Sequence, residues 1–130
     1  MIFANPILAG RRAPLCRDHK RGRAVTRGSR SDARRTVLVE CWAHQGPPKA
    51  AQKHKVLADA LKLTWIASTL YPRPQLILCL SDPQAAAPFQ PGARSWAAQA
   101  LQDLGIRIEI VDLPDDIRES VVSAQHRQYR

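Results

Sequence analysis

The chain has 130 residues and a formal net charge of +9, enough for one domain and too short for two ordinary ones. The charge is unevenly divided: residues 1–35 carry ten Lys/Arg against Asp18 and Asp32, a net +8, while residues 36–130 are close to neutral at +1. The high isoelectric point therefore belongs to an N-terminal arm and is no evidence that the folded body grips phosphates. Three cysteines, Cys16, Cys41 and Cys79, show neither zinc spacing nor a paired disulfide framework, which points to a reducing, cytoplasmic setting. No apolar run approaches the roughly 20 residues that span a bilayer, and residues 1–10 lack the basic start of a signal peptide. The expectation is a protein with no membrane partner.

Taken in order, residues 1–35 mix Arg, Gly, Pro and Ser without helical or strand periodicity, and ordering them costs about 1–2 kcal/mol per residue with little burial in return. A disordered arm is expected. Its basic residues, Arg11, Arg12, Arg17, Lys20, Arg21, Arg23, Arg27, Arg30, Arg34 and Arg35, are candidates for phosphate contacts with nucleic acid.

The body, residues 36–130, alternates strand and helix signals. Thr36–Trp42 is a β-rich run continuous enough to be covered on both faces. A Gly46-Pro47-Pro48 turn leads to a helix over 49–70, with Pro48 suited to its first position. Gln75–Leu80 reads as a second buried strand. A loop holding Pro83, Pro88 and Pro91 precedes a helix over 93–104, stopped by Gly105. A third strand, 106–112, and a final helix, 114–128 with Asp115 and Asp116 at its dipole-favoured start, complete the chain.

This βαβαβα order predicts an α/β fold with a small three-stranded parallel or mixed sheet. Its first strand presents an edge for a second copy or another partner to cover. Cys41, Cys79, Trp42, Trp65 and Trp96 read as core residues.

Candidate chemistry gathers at the carboxyl ends of the strands. Glu40 stands out, because a carboxylate inside an apolar strand is costly to bury unless paired or metal-bound. Asp82 and Asp112 follow the second and third strands, though acids there also serve as ordinary caps. Glu40 with Asp82 is the pair expected to hold Mg²⁺ through oxygen ligands. On the helix, Gln52, Lys55, Asp59 and Lys62 form a polar stripe. Gln52, Lys55 and Lys49 lie near enough to its start to reach Glu40 as catalytic partners, whereas Lys62 reads as solvated. His44 reads as a turn residue and His54 as an edge residue.

The segment from Val39 to Leu63, which contains Glu40-Cys41-Trp42, Gly46-Pro47-Pro48-Lys49 and Gln52-Lys53-His54-Lys55, resembles an uncharacterised bacterial group similar to the PD-(D/E)XK, restriction-endonuclease-like superfamily. The likeness runs from Thr36 to the end and includes Ala124-Gln125-His126-Arg127-Gln128. It implies a metal-dependent nuclease in which Glu40 is the acid of the second core strand. Two departures qualify it. Trp42 stands where the family has lysine, so the lysine would come from the helix, as Lys55 or Lys49. The strand with the first family Asp has no counterpart in the arm, so the body corresponds to a domain without its first third.

The resemblance thus implies a divergent or degenerate nuclease-like protein acting on or binding nucleic acid. The alternative is a non-catalytic binding or interaction module. A lesser similarity to the Toprim domain of primases and topoisomerases rests on Glu40 and Asp82. It lacks the Gly expected after the Glu (here Cys41) and the second Asp of the later motif (here Gln84).

Overall fold

A computed structural model describes residues 29–31, 34 and 36–128. Its elements are β1 (Ser29–Ser31), β2 (Val37–Trp42), α1 (Ala50–Ser68), β3 (Gln75–Leu80), α2 (Pro83–Ala86), a 3₁₀ turn (Ala87–Phe89), α3 (Trp96–Asp103), β4 (Ile106–Ile110) and α4 (Asp115–Gln128). β2, β3 and β4 form a parallel sheet alternating with helices, as the sequence pattern predicts.

Two features depart from that expectation. The end of the arm is not irregular: Ser29–Ser31 adds antiparallel to β2, with Ser29 opposite Glu40, and gives a four-stranded mixed sheet. The edge of β2 is therefore covered by the chain itself, not by a second copy or a partner. The proline-rich loop is also more ordered than expected. Asp82 Oδ2 accepts the Ala85 N–H at 2.9 Å, Pro83 takes a first-turn position that needs no N–H, and a short helix results.

The long helix begins later than its prolines suggested. Pro48 lies outside it and is buried, while Gln52 Oε1 accepts the Lys49 backbone N–H at 2.7 Å at the helix start. Ser95 Oγ caps α3 by accepting from Ala98 N at 3.1 Å and donates to the Pro88 carbonyl at 2.7 Å. Gly105 follows α3 with φ +71°, a left-handed conformation that glycine adopts without a Cβ penalty.

The core is one-sided. Leu38, Leu76, Leu78, Leu80 and Ile106 project from one face of the sheet and pack against Val56, Leu63, Ala86, Phe89, Ala97 and Leu101 from the helical layer. Residues that alternate with them, Val37, Val39, Cys41, Ile77, Cys79, Arg107 and Glu109, are half-buried or exposed. The expected cover on both faces is therefore corrected. α4 has no buried residue and makes no extensive contact with the sheet. Two of the three tryptophans are likewise not core anchors: Trp65 is 61% exposed and Trp96 74% exposed. Trp42 does pack against the core. Among the described residues, no helix is long and apolar enough to cross a membrane.

Candidate functional site

Glu40 is the one buried charged residue of the described core, 4% exposed. It shares the inner face of the sheet with Leu38, and β2 is only six residues long, so it lies directly beneath α1. The helix meets it with Lys62, whose Nζ is 2.6 Å from Glu40 Oε1. Asp59, one turn earlier, lies 3.7 Å from the same ammonium and 2.5 Å from Lys55 Nζ. The result is an alternating chain of charges, Lys55–Asp59–Lys62–Glu40, running from the exposed flank of α1 into the core. Burying a carboxylate and an ammonium costs several kcal/mol of desolvation each, and a short direct contact in low dielectric is what offsets that cost.

This arrangement corrects the assignment of the helix lysine. Lys62, read from the sequence as solvated, is the residue that reaches Glu40. Lys55 is engaged by Asp59, and Lys49 is exposed at the helix start. Lys49 is the residue just before α1 and Lys55 lies in its second turn, at the N-terminal end of the helix. Gln52 is placed at that end too, but in a structural role: its carbonyl oxygen accepts the Lys49 backbone N–H, and its amide nitrogen lies 3.4 Å from His44 Nδ1.

Asp82 does not join Glu40. Leu78 is the register partner of Glu40, and Asp82 lies four residues further on, beyond the end of β3. There its Oδ2 accepts both the Ala85 N–H and, at 3.1 Å, the N–H of Gly46 in the turn after β2. Gly46 has φ +83°, a conformation that an L side chain would strain. Asp82 thus caps a helix and clasps two loops. Asp112 lies 4.0 Å from the Arg118 guanidinium at an exposed position. Among the described residues, no group of three His, Cys, Asp or Glu side chains is placed to hold a metal ion.

A second polar cluster, which the sequence did not announce, sits at the carboxyl ends of β2 and β3. Gln45 donates its amide to Ser81 Oγ at 2.8 Å, and its backbone exchanges two hydrogen bonds with the Gln125 amide of α4, at 2.8 and 3.1 Å. His44 stacks on Trp42 with ring centroids 4.7 Å apart. Burial holds its pKa below the usual histidine value near 6.5, against the opposing influences of the Pro47 backbone and the Asp82 charge. The sequence assigned Gln45, Ser81 and Gln125 no role of their own, because surface amides and hydroxyls are common and these meet across 36 and 80 residues. The network ties together α4 and the loops after β2 and β3 through mutually satisfied groups.

A small apolar cavity of about 200 Å³ opens between the start of α1 and the Pro88–Ala97 segment, lined by His54, Leu57, Phe89 and Trp96 among others. His54 is exposed at its mouth. Of the basic arm residues, Arg34 is exposed and Arg30 lies in β1, while Arg11, Arg12, Arg17, Lys20, Arg21, Arg23, Arg27 and Arg35 fall outside the described residues.

Searches against known protein families, curated proteins and solved structures return no match for the chain.

Proposed function

We propose that the chain is a non-cleaving, nuclease-like scaffold that binds nucleic acid through its basic N-terminal arm in the cytoplasm. The observation that carries the reading is the Glu40–Lys62 pair. A nuclease metal would have to bind the Glu40 carboxylate, and that carboxylate is buried with an ammonium 2.6 Å away. A Mg²⁺ ion demands near-octahedral oxygen ligands, several of them usually water. A 4% exposed carboxylate against a lysine, with Asp82 committed to backbone amides beyond β3, does not fit that requirement. No catalytic step is therefore assigned to Glu40, Gln52, Lys49 or Lys55. What remains of the sequence signal is electrostatic: the arm holds a net +8 within 35 residues, beside a body at +1.

Binding to labelled duplex DNA tests the proposal. If about half of the ten basic arm residues meet phosphates, log affinity should fall against log salt with a slope of roughly −4 to −5. Replacing Arg11, Arg12, Arg17, Lys20, Arg21 and Arg23 together by Gln should remove most of the affinity and flatten that slope. Undiminished binding by this variant would overturn the binding half of the reading. Nicking of supercoiled plasmid in Mg²⁺ or Mn²⁺, lost on Glu40→Gln in a folded chain, would overturn the non-cleaving half.

A further inference from the structure

The outer face of the sheet carries a pair of groups unrelated to the Glu40 site. Cys41 and Cys79 are register partners on the adjacent parallel strands β2 and β3, so their side chains leave the same face side by side. Both are free thiols, Cys41 exposed and Cys79 half-buried. Neighbouring strands run about 4.8 Å apart, inside the roughly 4.4–6.8 Å separation of α-carbons that a disulfide bridges. Two free cysteines in register on an uncovered sheet face are poorly explained as core hydrophobes.

We propose that Cys41 and Cys79 form a redox-modification site, a dithiol that low-molecular-weight disulfides convert to an intramolecular disulfide. The exposed Cys41 meets the oxidant. Its thiolate attacks one sulfur of the small disulfide, forming a mixed disulfide on Cys41 and releasing one small thiol. Cys79 then gives up its proton and attacks the Cys41 sulfur, expelling the second small thiol and closing the cross-strand bond. Two protein thiols are oxidised and one small disulfide is reduced to two thiols, so electrons and protons balance. Burial, and then the neighbouring Cys41, raise the pKa of Cys79, which suits it to the second, intramolecular step, where proximity replaces thiolate abundance. In a reducing compartment such a bond forms transiently, as redox-sensing disulfides do. The closed bond would staple β2 to β3 around the whole of α1.

The test uses the full chain with Cys16→Ser, which leaves Cys41 and Cys79 as its cysteines. It is equilibrated with mixtures of oxidised and reduced glutathione, quenched by alkylation and read by intact mass. The expected product is lighter by two hydrogen atoms, with both thiols lost together and recovered by dithiothreitol. The native chain should oxidise at a glutathione ratio more reducing, by about tenfold or more, than the same chain in denaturant, because the fold presents the thiols to each other. Cys79→Ser should arrest at a glutathione adduct on Cys41. Equal midpoints for native and denatured chains would overturn the proposal. So would separate adducts on both sulfurs with no disulfide.

Discussion

The two faces of the sheet are made from the same strands and could hardly differ more. On the inner face Leu38, Leu76, Leu78, Leu80 and Ile106 are almost wholly buried under α1 and the Pro83–Asp103 segment, and Glu40 is buried among them with the Lys62 ammonium 2.6 Å away. On the outer face, one residue away along each strand, Val39, Ile77 and Cys79 are half-buried and Cys41 is exposed. Side-chain alternation alone separates the two environments. A polar group inside must bring its own counter-charge, whereas reactive groups outside remain open to solvent. Stability and accessible chemistry are thereby assigned to opposite sides of one layer.

The largest expected effect compares adjacent residues of β3. Leu78→Ala removes a side chain packed in the core and should cost about 3 kcal/mol, including the cavity it leaves. Ile77→Ala, on the outer face, should cost about 1 kcal/mol, since its side chain is already partly in water. Urea unfolding midpoints of the two variants provide the measurement. Comparable losses would mean that a further element covers the outer face in solution.

Next comes the buried pair. Lys62→Met leaves the Glu40 carboxylate in the core without its ammonium. A cost of about 2–3 kcal/mol is expected, below the full range for a broken buried pair because Lys62 itself is partly exposed. Glu40→Gln should cost less, about 1–2 kcal/mol, since the ammonium retains Asp59 3.7 Å away. A carboxylate buried without a partner would make Glu40→Gln neutral or stabilising, so the sign of this change, read from urea midpoints, decides whether the ion pair holds in solution.

How far these features were legible in the sequence follows from what periodicity records. The order of strands and helices was readable because apolar runs are separated by Pro and Gly, and the boundaries of β2, β3 and α1 fall within two residues of the sequence expectation. Which faces are covered was not readable. Val37–Trp42 and Gln75–Leu80 are apolar on both sides, and such runs ordinarily mark strands buried on both faces. Glu40 was identifiable as anomalous from its apolar neighbours alone. Its partner was not, because Lys55 and Lys62 share one stripe of α1, and only the crossing of helix over strand selects between them. β1 escaped notice since three residues of Ser-Arg-Ser composition carry no strand signal, and their pairing is a backbone matter.

A smaller effect tests the clasp at the strand ends. Asp82→Ala removes a cap from α2 and an acceptor from the Gly46 N–H together, and about 1–2 kcal/mol is expected. Asp82→Asn, which keeps a carbonyl acceptor in place, should recover most of it. If the two variants unfold alike, the charge of Asp82 matters more than its hydrogen bonds. That outcome would reopen its assignment as a ligand.

The smallest expected effect is a pH dependence at His44, where the sign follows from linkage. Burial against Trp42 and the loop after β2 disfavours the imidazolium, so the folded pKa lies below the usual value near 6.5 that the unfolded chain retains. As the pH falls below that value, the unfolded chain takes up a proton that folded His44 still refuses, and unfolding becomes more favourable. The contribution is therefore fully present above about pH 6.5 and declines towards the lower, folded pKa. The Asp82 charge opposes the shift, and Gln52 beside Nδ1 is neutral throughout. Urea midpoints at about pH 7.5 and about pH 5.5 should show the chain losing more stability on acidification than its His44→Gln variant does. Identical losses would place the ring in water, unstacked from Trp42. The carboxyl ends of the strands would then be as open as the outer face, and the contrast between the two sides would stop short of that end of the sheet.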